Sequence, residues 1–446
     1  MKAQILLIFA SVLFSSMPRF TIAAGEIYIQ KSLLIQEVAQ AIKERNHARL
    51  GELLKDNLGK KVTLGEVEKI AHEQHSNVVA RAVEATRALV AKEENQRRML
   101  DITRGDFIQM ALFIEASLPL LVQKNKHYFP REKTHFSSSI EYDPQTQNVF
   151  LLLDGCDKEK TYIGEGAYKV VTKALKYSRT LPEIVARADE KDARENELQI
   201  TKRLKGSPGI FDIKACTSHK KGSTEYSSIY SKIYNRGSLR DAFDAHVQFS
   251  FYEKERIALS LIQGLHELHK RKIVHRDLSA RNYLIDIPPG KPGRRAITAA
   301  VADLGRAIYS KVAAKTKVQG NTSYTSPEAI FVKKMRGAGY FGSDVYALGL
   351  VLYQLFYDKR AKWQDSYYVK NTKLSEKLRA KILVKRINKY TASRRRQLDK
   401  KKAQNRLSPS EDFEHLIYQM IEPNPKKREP ILKHLIQMQR IVKRGG

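Results

Sequence analysis

The chain is short of cysteine and of acid, and it has almost no long apolar runs. Its two cysteines, Cys156 and Cys216, can build neither a disulfide framework nor a cysteine-rich zinc site. Asp and Glu number 48 against 80 Lys and Arg, which leaves a formal net charge of +32. That deficit of acid points to an anionic partner: an acidic substrate, an anionic membrane surface or a nucleic acid. The one extended apolar run, Ile5 to Phe14, is too short to span a bilayer comfortably, and no other segment could cross one. What remains is the composition of a soluble globular protein, 42% hydrophobic and 29% charged. At 446 residues it is long enough for two or more domains, and it shows no internal repeat.

The N-terminus has its own character. Lys2, the apolar run and the small residues Thr21, Ala23 and Ala24 describe a secretory signal peptide over residues 1–24, so export is expected, with no transmembrane span in the mature protein. Residues 25–130 read as a helical module. Leu34, Val38, Ala41 and Ile42 share one helical face, and Leu50, Leu53, Leu54 and Leu58 continue the pattern. Gly59 is a stop, and Thr63 with Glu66 forms a capping box ahead of Val67, Ile70 and Ala71. Thr103 with Asp106 precedes a further apolar stretch, Phe107 to Val122. His72 and His75 stand three apart rather than four, so they do not make a zinc-protease motif. Residues 131–157 read as a strand hairpin and linker, with Asp143 to Asn148 as the turn. From about Thr161 the chain is strand-rich, and from about Asp241 it is helical. That order implies an α+β fold, a small sheet lobe before a helical lobe with a cleft between them. Near the end, Lys385 to Arg406 is a basic stretch read as a solvated face or a docking patch.

The chemistry lies between residues 158 and 440. Ile273-Val274-His275-Arg276-Asp277-Leu278-Ser279-Ala280-Arg281-Asn282 resembles the catalytic loop H-R-D-L-x-x-x-N of eukaryotic-type protein kinases at every fixed position. Asp303-Leu304-Gly305, after the apolar Ala299 to Ala302, resembles D-F-G with leucine for phenylalanine. Ser326-Pro327-Glu328 stands where that family has A-P-E, and Arg428 where it places the partner of the glutamate. Asp344 to Gly349 resembles the D-x-W-S-x-G helix, whose aspartate braces the catalytic loop. Glu197 occupies the ion-pair position of the small-lobe helix, Ser231 the gatekeeper, and Lys232-Ile233-Tyr234 the hinge that meets adenine. The resemblance implies a bilobal kinase fold that uses ATP and Mg2+ on a protein substrate. Asp277 would be the base, and Asn282 and Asp303 the metal ligands.

Ile163-Gly164-Glu165-Gly166-Ala167-Tyr168-Lys169-Val170-Val171 is the glycine-rich loop; Gly164 and Gly166 let the backbone approach phosphate, and Lys169 replaces the third glycine. The V-A-I-K segment of the family's third strand is here Val185-Ala186-Arg187-Ala188, so the usual lysine is absent. Strand alternation puts Lys169 on the face of Val171, the residue expected over adenine with Ala186, and turns Arg187 the other way. A lysine at the third glycine position, none on the third strand, and D-L-G together resemble the With-No-Lysine kinases. The alternative is a pseudokinase, a scaffold that binds a partner or nucleotide without catalysis.

H-R-D-L-S-A-R-N resembles tyrosine kinases, whereas Gly320 to Glu328 resembles the serine/threonine loop, and serine/threonine specificity is favoured. Thr316 and Thr322 are candidate phosphosites. The one glycosylation sequon, Asn321-Thr322-Ser323, lies inside this loop, which argues against passage through the endoplasmic reticulum. A bacterial protein exported toward a host cell reconciles the signal peptide, the need for ATP and the eukaryote-like fold. An acidic protein substrate is the expected partner; nucleic-acid binding through Lys385 to Arg406 ranks below it.

Overall fold

The computed structural model describes residues 19–445 except 97–104, 106–107, 114, 117–139, 144–147, 153–160, 166–168, 177–182, 192–194, 222–223, 314–322, 332–336 and 365–373. The chain divides into two compact units, residues 1–187 and 188–446, with the break inside one strand.

The first unit opens with helices α1 (Arg19–Lys43), α2 (His47–Lys55), α3 (Leu64–Glu73) and α4 (Asn77–Gln96). The expected capping box is present: Thr63 accepts from the Glu66 amide, and Glu66 accepts from the Thr63 amide at 2.8 Å. Val38, Ala41, Ile42, Leu50, Leu53, Leu54 and Leu58 are buried in one cluster with Val67, Val79, Val83, Ile108 and Leu112. Gly59 turns the chain at φ +79°, where a side chain would be strained. The expected cleavage point near Ala23 or Ala24 falls within α1; residues 1–18 of the expected leader lie outside the described residues.

Strands β1 (Ile140–Asp143) and β2 (Asn148–Leu152) form the hairpin, pairing Ile140 with Leu151 and Asp143 with Asn148. The hairpin does not stand apart. β2 pairs with β4 (Lys169–Lys176), Leu151 opposite Leu175, and β3 (Tyr162–Glu165) pairs with β4 as well. Leu175 on β4 and Ile184 at the start of β5 (Glu183–Lys191) pack into the helical core. The helices and the strands therefore bury apolar surface against each other, which neither could bury alone.

The second unit carries α5 (Glu195–Leu204), the hairpin β6 (Ile213–Lys221) with β7 (Thr224–Ser231), then α6 (Leu239–Asp244) and α7 (Phe251–Lys270). Ser238 with Asp241 and Ser250 with Glu253 start α6 and α7 as capping boxes. Two short ribbons follow: β8 (Ile273–Val274) with β11 (Ile308–Tyr309), and β9 (Tyr283–Asp286) with β10 (Thr298–Val301). Helices α8 (Pro327–Phe331), α9 (Gly337–Tyr357), α10 (Glu376–Ala403), α11 (Pro409–Met420) and α12 (Ile431–Gly445) complete the unit. Its core joins α7, α9, α11 and α12 through Leu261, Leu265, Val351, Leu355, Phe413, Leu416 and Met438. A Cβ on Gly264 of α7 would lie 2.1 Å from the Gly209 carbonyl oxygen, so only glycine allows this crossing. The Val301 amide donates to that same oxygen at 2.8 Å, which seats β10 against α7.

The basic stretch is helical. On one side of α10, Arg394 grips Glu414 with contacts of 2.6 to 3.1 Å, and Lys401 meets Glu411 on α11. On the other, Lys377, Lys381, Lys385, Lys389, Arg396 and Lys400 are exposed. No helix among the described residues is long and apolar enough to cross a membrane.

Glu255 on α7 is buried beneath the end of α12, where a Cβ on Gly445 would lie 2.8 Å from its Oε2. Burial pushes its carboxyl up to about 7, against the pull of Arg256. Between its unfolded value and about pH 7 the folded chain holds a proton that the unfolded chain has released, so stability falls as pH rises through that window. Glu255→Gln should remove the slope and stabilise the protein above pH 7 by an amount on the order of 1–3 kcal/mol. Thermal melts of both proteins at pH 5 and pH 8 read it; equal shifts at the two pH values would contradict the assignment.

Candidate active site

The β8–β11 and β9–β10 ribbons place two loops side by side, residues 275–282 and 302–307. Two non-glycine residues there sit in the left-handed region, Arg276 at φ +69° and Asp303 at φ +54°. Such conformations persist only where their surroundings over-determine them. Asp344 on α9 supplies that constraint for Arg276, accepting from the His275 amide at 2.8 Å and the Arg276 amide at 2.9 Å. His269 Nε2 lies 3.2 Å from the same carboxylate, and these contacts to buried Asp344 lock the entrance to the loop.

Beyond that clamp the functional side chains come together. Asn282 donates its Nδ2 to the Asp277 carbonyl at 2.6 Å, which leaves Oδ1 as the end able to meet a cation. The Ala302 amide donates to the Asn282 carbonyl at 2.9 Å, so Asn282 and Asp303 lie on adjoining segments. Arg276 Nε donates to the Arg306 carbonyl at 2.8 Å, and Arg306 Nε stands 3.4 Å from Asp277 Oδ2. Leu304 is buried in the core of the unit. Farther out, Arg428 meets Glu328 at 2.6 Å, with both side chains buried.

Ser231 ends β7 and is buried. The side chains of the hinge residues are engaged in its scaffold. Lys232 Nζ pairs with Asp286 at 2.7 Å, and the Tyr234 hydroxyl accepts from the Asp212 amide at 3.1 Å. Burial raises the Tyr234 phenol above its ordinary value. The Lys232 amide donates to the Asp212 carbonyl and the Tyr234 carbonyl accepts from the Gly237 amide, each at 3.0 Å, so the Lys232 carbonyl and the Tyr234 amide are the backbone groups this segment can offer to a ligand. Glu197 lies in the first turn of α5 and is buried.

In the first unit, Gly164 pairs with Val171, and a Cβ there would meet nothing within 4 Å. Ile163 is exposed, and Gly166 lies outside the described residues. On β4, Val170 is exposed between half-buried Lys169 and Val171, so the last two share the opposite face. Ala186 and Arg187 on β5 are both buried. Arg187 Nη2 meets Glu141 on β1 at 2.7 Å, so this cation is engaged within the sheet.

Residues 158–439 match the family model for the protein kinase domain, well over half of the chain. The chain belongs to the protein kinase family. Among curated relatives, a probable leucine-rich repeat receptor-like protein kinase of Arabidopsis thaliana is 29% identical over 47% of this chain and 22% of its own length. The serine/threonine-protein kinase Nek8 of Danio rerio is 30% identical over 46% of this chain and 28% of its own. The dual specificity protein kinase splA of Dictyostelium discoideum is 30% identical over 36% of this chain and 7% of its own. The chain thus spans less than a third of the length of each.

Kinases hold magnesium with few protein ligands, because the ion keeps its waters and takes phosphate oxygens. Asn282 Oδ1 and the Asp303 carboxylate are hard oxygen donors of the right kind. Among the described residues no cluster of three or more His, Cys, Asp or Glu forms a metal cage, and His72 and His75 belong to none. Several groups around the catalytic loop and hinge of the second unit escaped sequence reading: His269, Asp286 and Arg306. Each reaches the site from a distant or variable position through side-chain length alone, a property without periodicity. The candidate phosphosites Thr316 and Thr322, with Asn321, lie outside the described residues.

Proposed function

We propose that this kinase is an active, ATP-dependent phosphotransferase acting on protein hydroxyls, serine or threonine in preference to tyrosine. The observation that carries the reading is the Asp344 clamp together with the Asn282–Asp277 bond, which preorganises the base and a metal ligand before any substrate arrives. Magnesium, when bound, would neutralise charge on the transferring phosphoryl group. Asn282 and Asp303 would hold it, Asp277 would take the proton of the attacking hydroxyl, and the hinge backbone at Lys232 and Tyr234 would recognise adenine. Ile163, Gly164, Gly166, Val171 and Ala186 would frame the nucleotide. Lys169 would supply the phosphate-binding cation, with Glu197 in the counter-charge role. Its support is chemical: Ala188 cannot serve, Arg187 is engaged by Glu141, and Lys169 shares the Val171 face. The substrate segment is acidic in this reading, because α8, at the end of the activation segment, packs against α10 with its exposed lysine row. The pseudokinase alternative keeps one observation on its side, the alanine at position 188.

The test is phosphotransfer from radiolabelled ATP by the full chain. Lys169→Ala should lower catalytic efficiency by about tenfold or more, since one charge-assisted contact is worth about 1.5–3 kcal/mol. Arg187→Ala should lower the melting temperature by breaking its buried pair with Glu141, and leave the turnover of folded protein intact. Lys169→Ala combined with Ala188→Lys should recover part of the loss. A Lys169→Ala protein as active as wild type would refute the relocated cation. A wild type that neither binds nucleotide nor transfers phosphate would establish the pseudokinase.

A further inference from the structure

On the second unit, away from the catalytic loop, α7 and α12 run together and leave an open cavity of about 610 Å³. Its volume lies within the roughly 300–1,000 Å³ of small-molecule sites. Tyr252, Arg256 and Leu259 line it from one face of α7; Gln439, Val442 and Lys443 line it from α12; Arg294 enters from the loop between β9 and β10. The Arg256 and Arg294 guanidinium carbons lie 5.1 and 5.2 Å from the centre of the Tyr252 ring.

Three cations therefore converge on one concavity that no carboxylate lines. The acids nearby in sequence are turned away. Glu253 is buried under Arg295, at 2.7 Å from its Nε. Glu255 is buried beneath Gly445, and burial raises its carboxyl toward the neutral form. Arg444, next to Lys443, is engaged by Asp412 at 3.0 Å. Like charges gathered on a wall that no carboxylate lines repel one another, although buried Glu255 acts on Arg256 from behind it, and a multiply charged anion relieves that repulsion. Cation–π contact with Tyr252 restrains both guanidinium groups, which lowers the entropy cost of capturing a ligand. Planar guanidinium forks match the oxygens of phosphate. Leu259 and Val442 add an apolar wall for a ligand's carbon frame.

We infer that this cavity is a second binding site, for a small ligand carrying clustered phosphate groups, either a soluble polyphosphate or the headgroup of a phosphorylated lipid. It involves none of the residues proposed for phosphotransfer, so it stands whether or not the kinase is active.

The experiment uses the full chain with the nucleotide site filled by excess ADP and magnesium. Inositol hexakisphosphate is the probe, titrated calorimetrically. Wild type should bind it, and Arg256→Ala/Arg294→Ala should bind about tenfold or more weakly, since two charge-assisted contacts are lost. Lys381→Ala/Lys385→Ala removes the same charge from α10 and should change affinity by less than about twofold, because these lysines are exposed, line no part of the cavity and are screened by solvent and salt. Equal losses in the two double variants would reduce the effect to net charge and overturn the site; so would no loss in the first. Should Arg256→Ala/Arg294→Ala not fold, Lys443→Ala at the exposed end of α12 takes its place. A loss of about threefold or more supports the site, and an unchanged affinity overturns it. Vesicles of phosphatidylcholine with and without phosphatidylinositol 4,5-bisphosphate then separate the sources. Capture by the phosphorylated vesicles, lost in the arginine variant, supports the headgroup. Tight inositol hexakisphosphate binding without vesicle capture supports a soluble polyphosphate.

Discussion

Asp277→Asn is expected to remove phosphotransfer while sparing nucleotide binding. The substitution keeps the size of the side chain and deletes the group that would accept the hydroxyl proton. The Asn282 bond uses the Asp277 backbone carbonyl, not its carboxylate, so the proposed metal ligand stays in position. The Asp344 clamp uses the amides of the two preceding residues and is also untouched. Loss of a positioned base costs about 10²- to 10⁴-fold in rate. Loss of the Asp277 carboxylate also frees Arg306, 3.4 Å away and partly exposed, which costs little because solvent can take over. Initial rates of phosphotransfer and the nucleotide dissociation constant of the same preparation provide the check. Turnover at the wild-type level would end the assignment of Asp277, and a matching loss of nucleotide binding would mean the loop had been distorted.

The second large effect is structural. Arg428→Ala should destabilise the second unit by about 3–5 kcal/mol, the usual result of orphaning one partner of a buried pair. The guanidinium meets Glu328 at 2.6 Å and donates as well to the carbonyls of Gly342 and Glu422, at 2.7 Å each. Its removal strands a buried carboxylate and two backbone acceptors at once, and it opens space over the Tyr346 ring, 5.1 Å away. Glu328→Gln should cost less, since a neutral amide can still accept from Arg428. Urea unfolding of the three proteins measures the order. The reverse order, or a cost for Arg428→Ala below about 1 kcal/mol, would show that the pair does not brace the unit. The end of α8 should loosen with it, so the variant's catalytic efficiency should fall by more than its folded fraction does.

Much of the kinase domain was legible in the residues themselves. Asp277, Asn282, Asp303, Asp344, Glu328 and Arg428 stand in short strings whose order and spacing no other fold demands, and the geometry joins the first four around one loop. The helical faces were legible for a simpler reason. Val38, Ala41 and Ile42 recur with the helical period, and all three are buried. The Thr63–Glu66 box was readable because both partners lie within one turn.

The rest depended on contacts between segments far apart in the chain. Nothing in Ile140 to Leu152 says that the hairpin continues the sheet through β4, since strand pairing is decided by which edge is left to cover. Arg187 was readable as pointing away from Val171, but its partner Glu141 lies 46 residues earlier and carries no motif. The segment Lys232 to Tyr234 was readable as a hinge, but nothing in it says that Asp286 holds the lysine side chain or that the tyrosine hydroxyl accepts from the Asp212 amide. The basic run near the end was plain in the sequence as charge. Only the fold divides it, pairing Arg394 and Lys401 with acids of α11 and leaving Lys385, Lys389 and Lys400 in solvent. Local spacing determines which atoms are chemically able to act, because one turn or one strand sets their relative direction. Partner choice for a long charged side chain is settled by whichever opposite charge the packed core brings within about 4 Å, and that is a property of the tertiary structure.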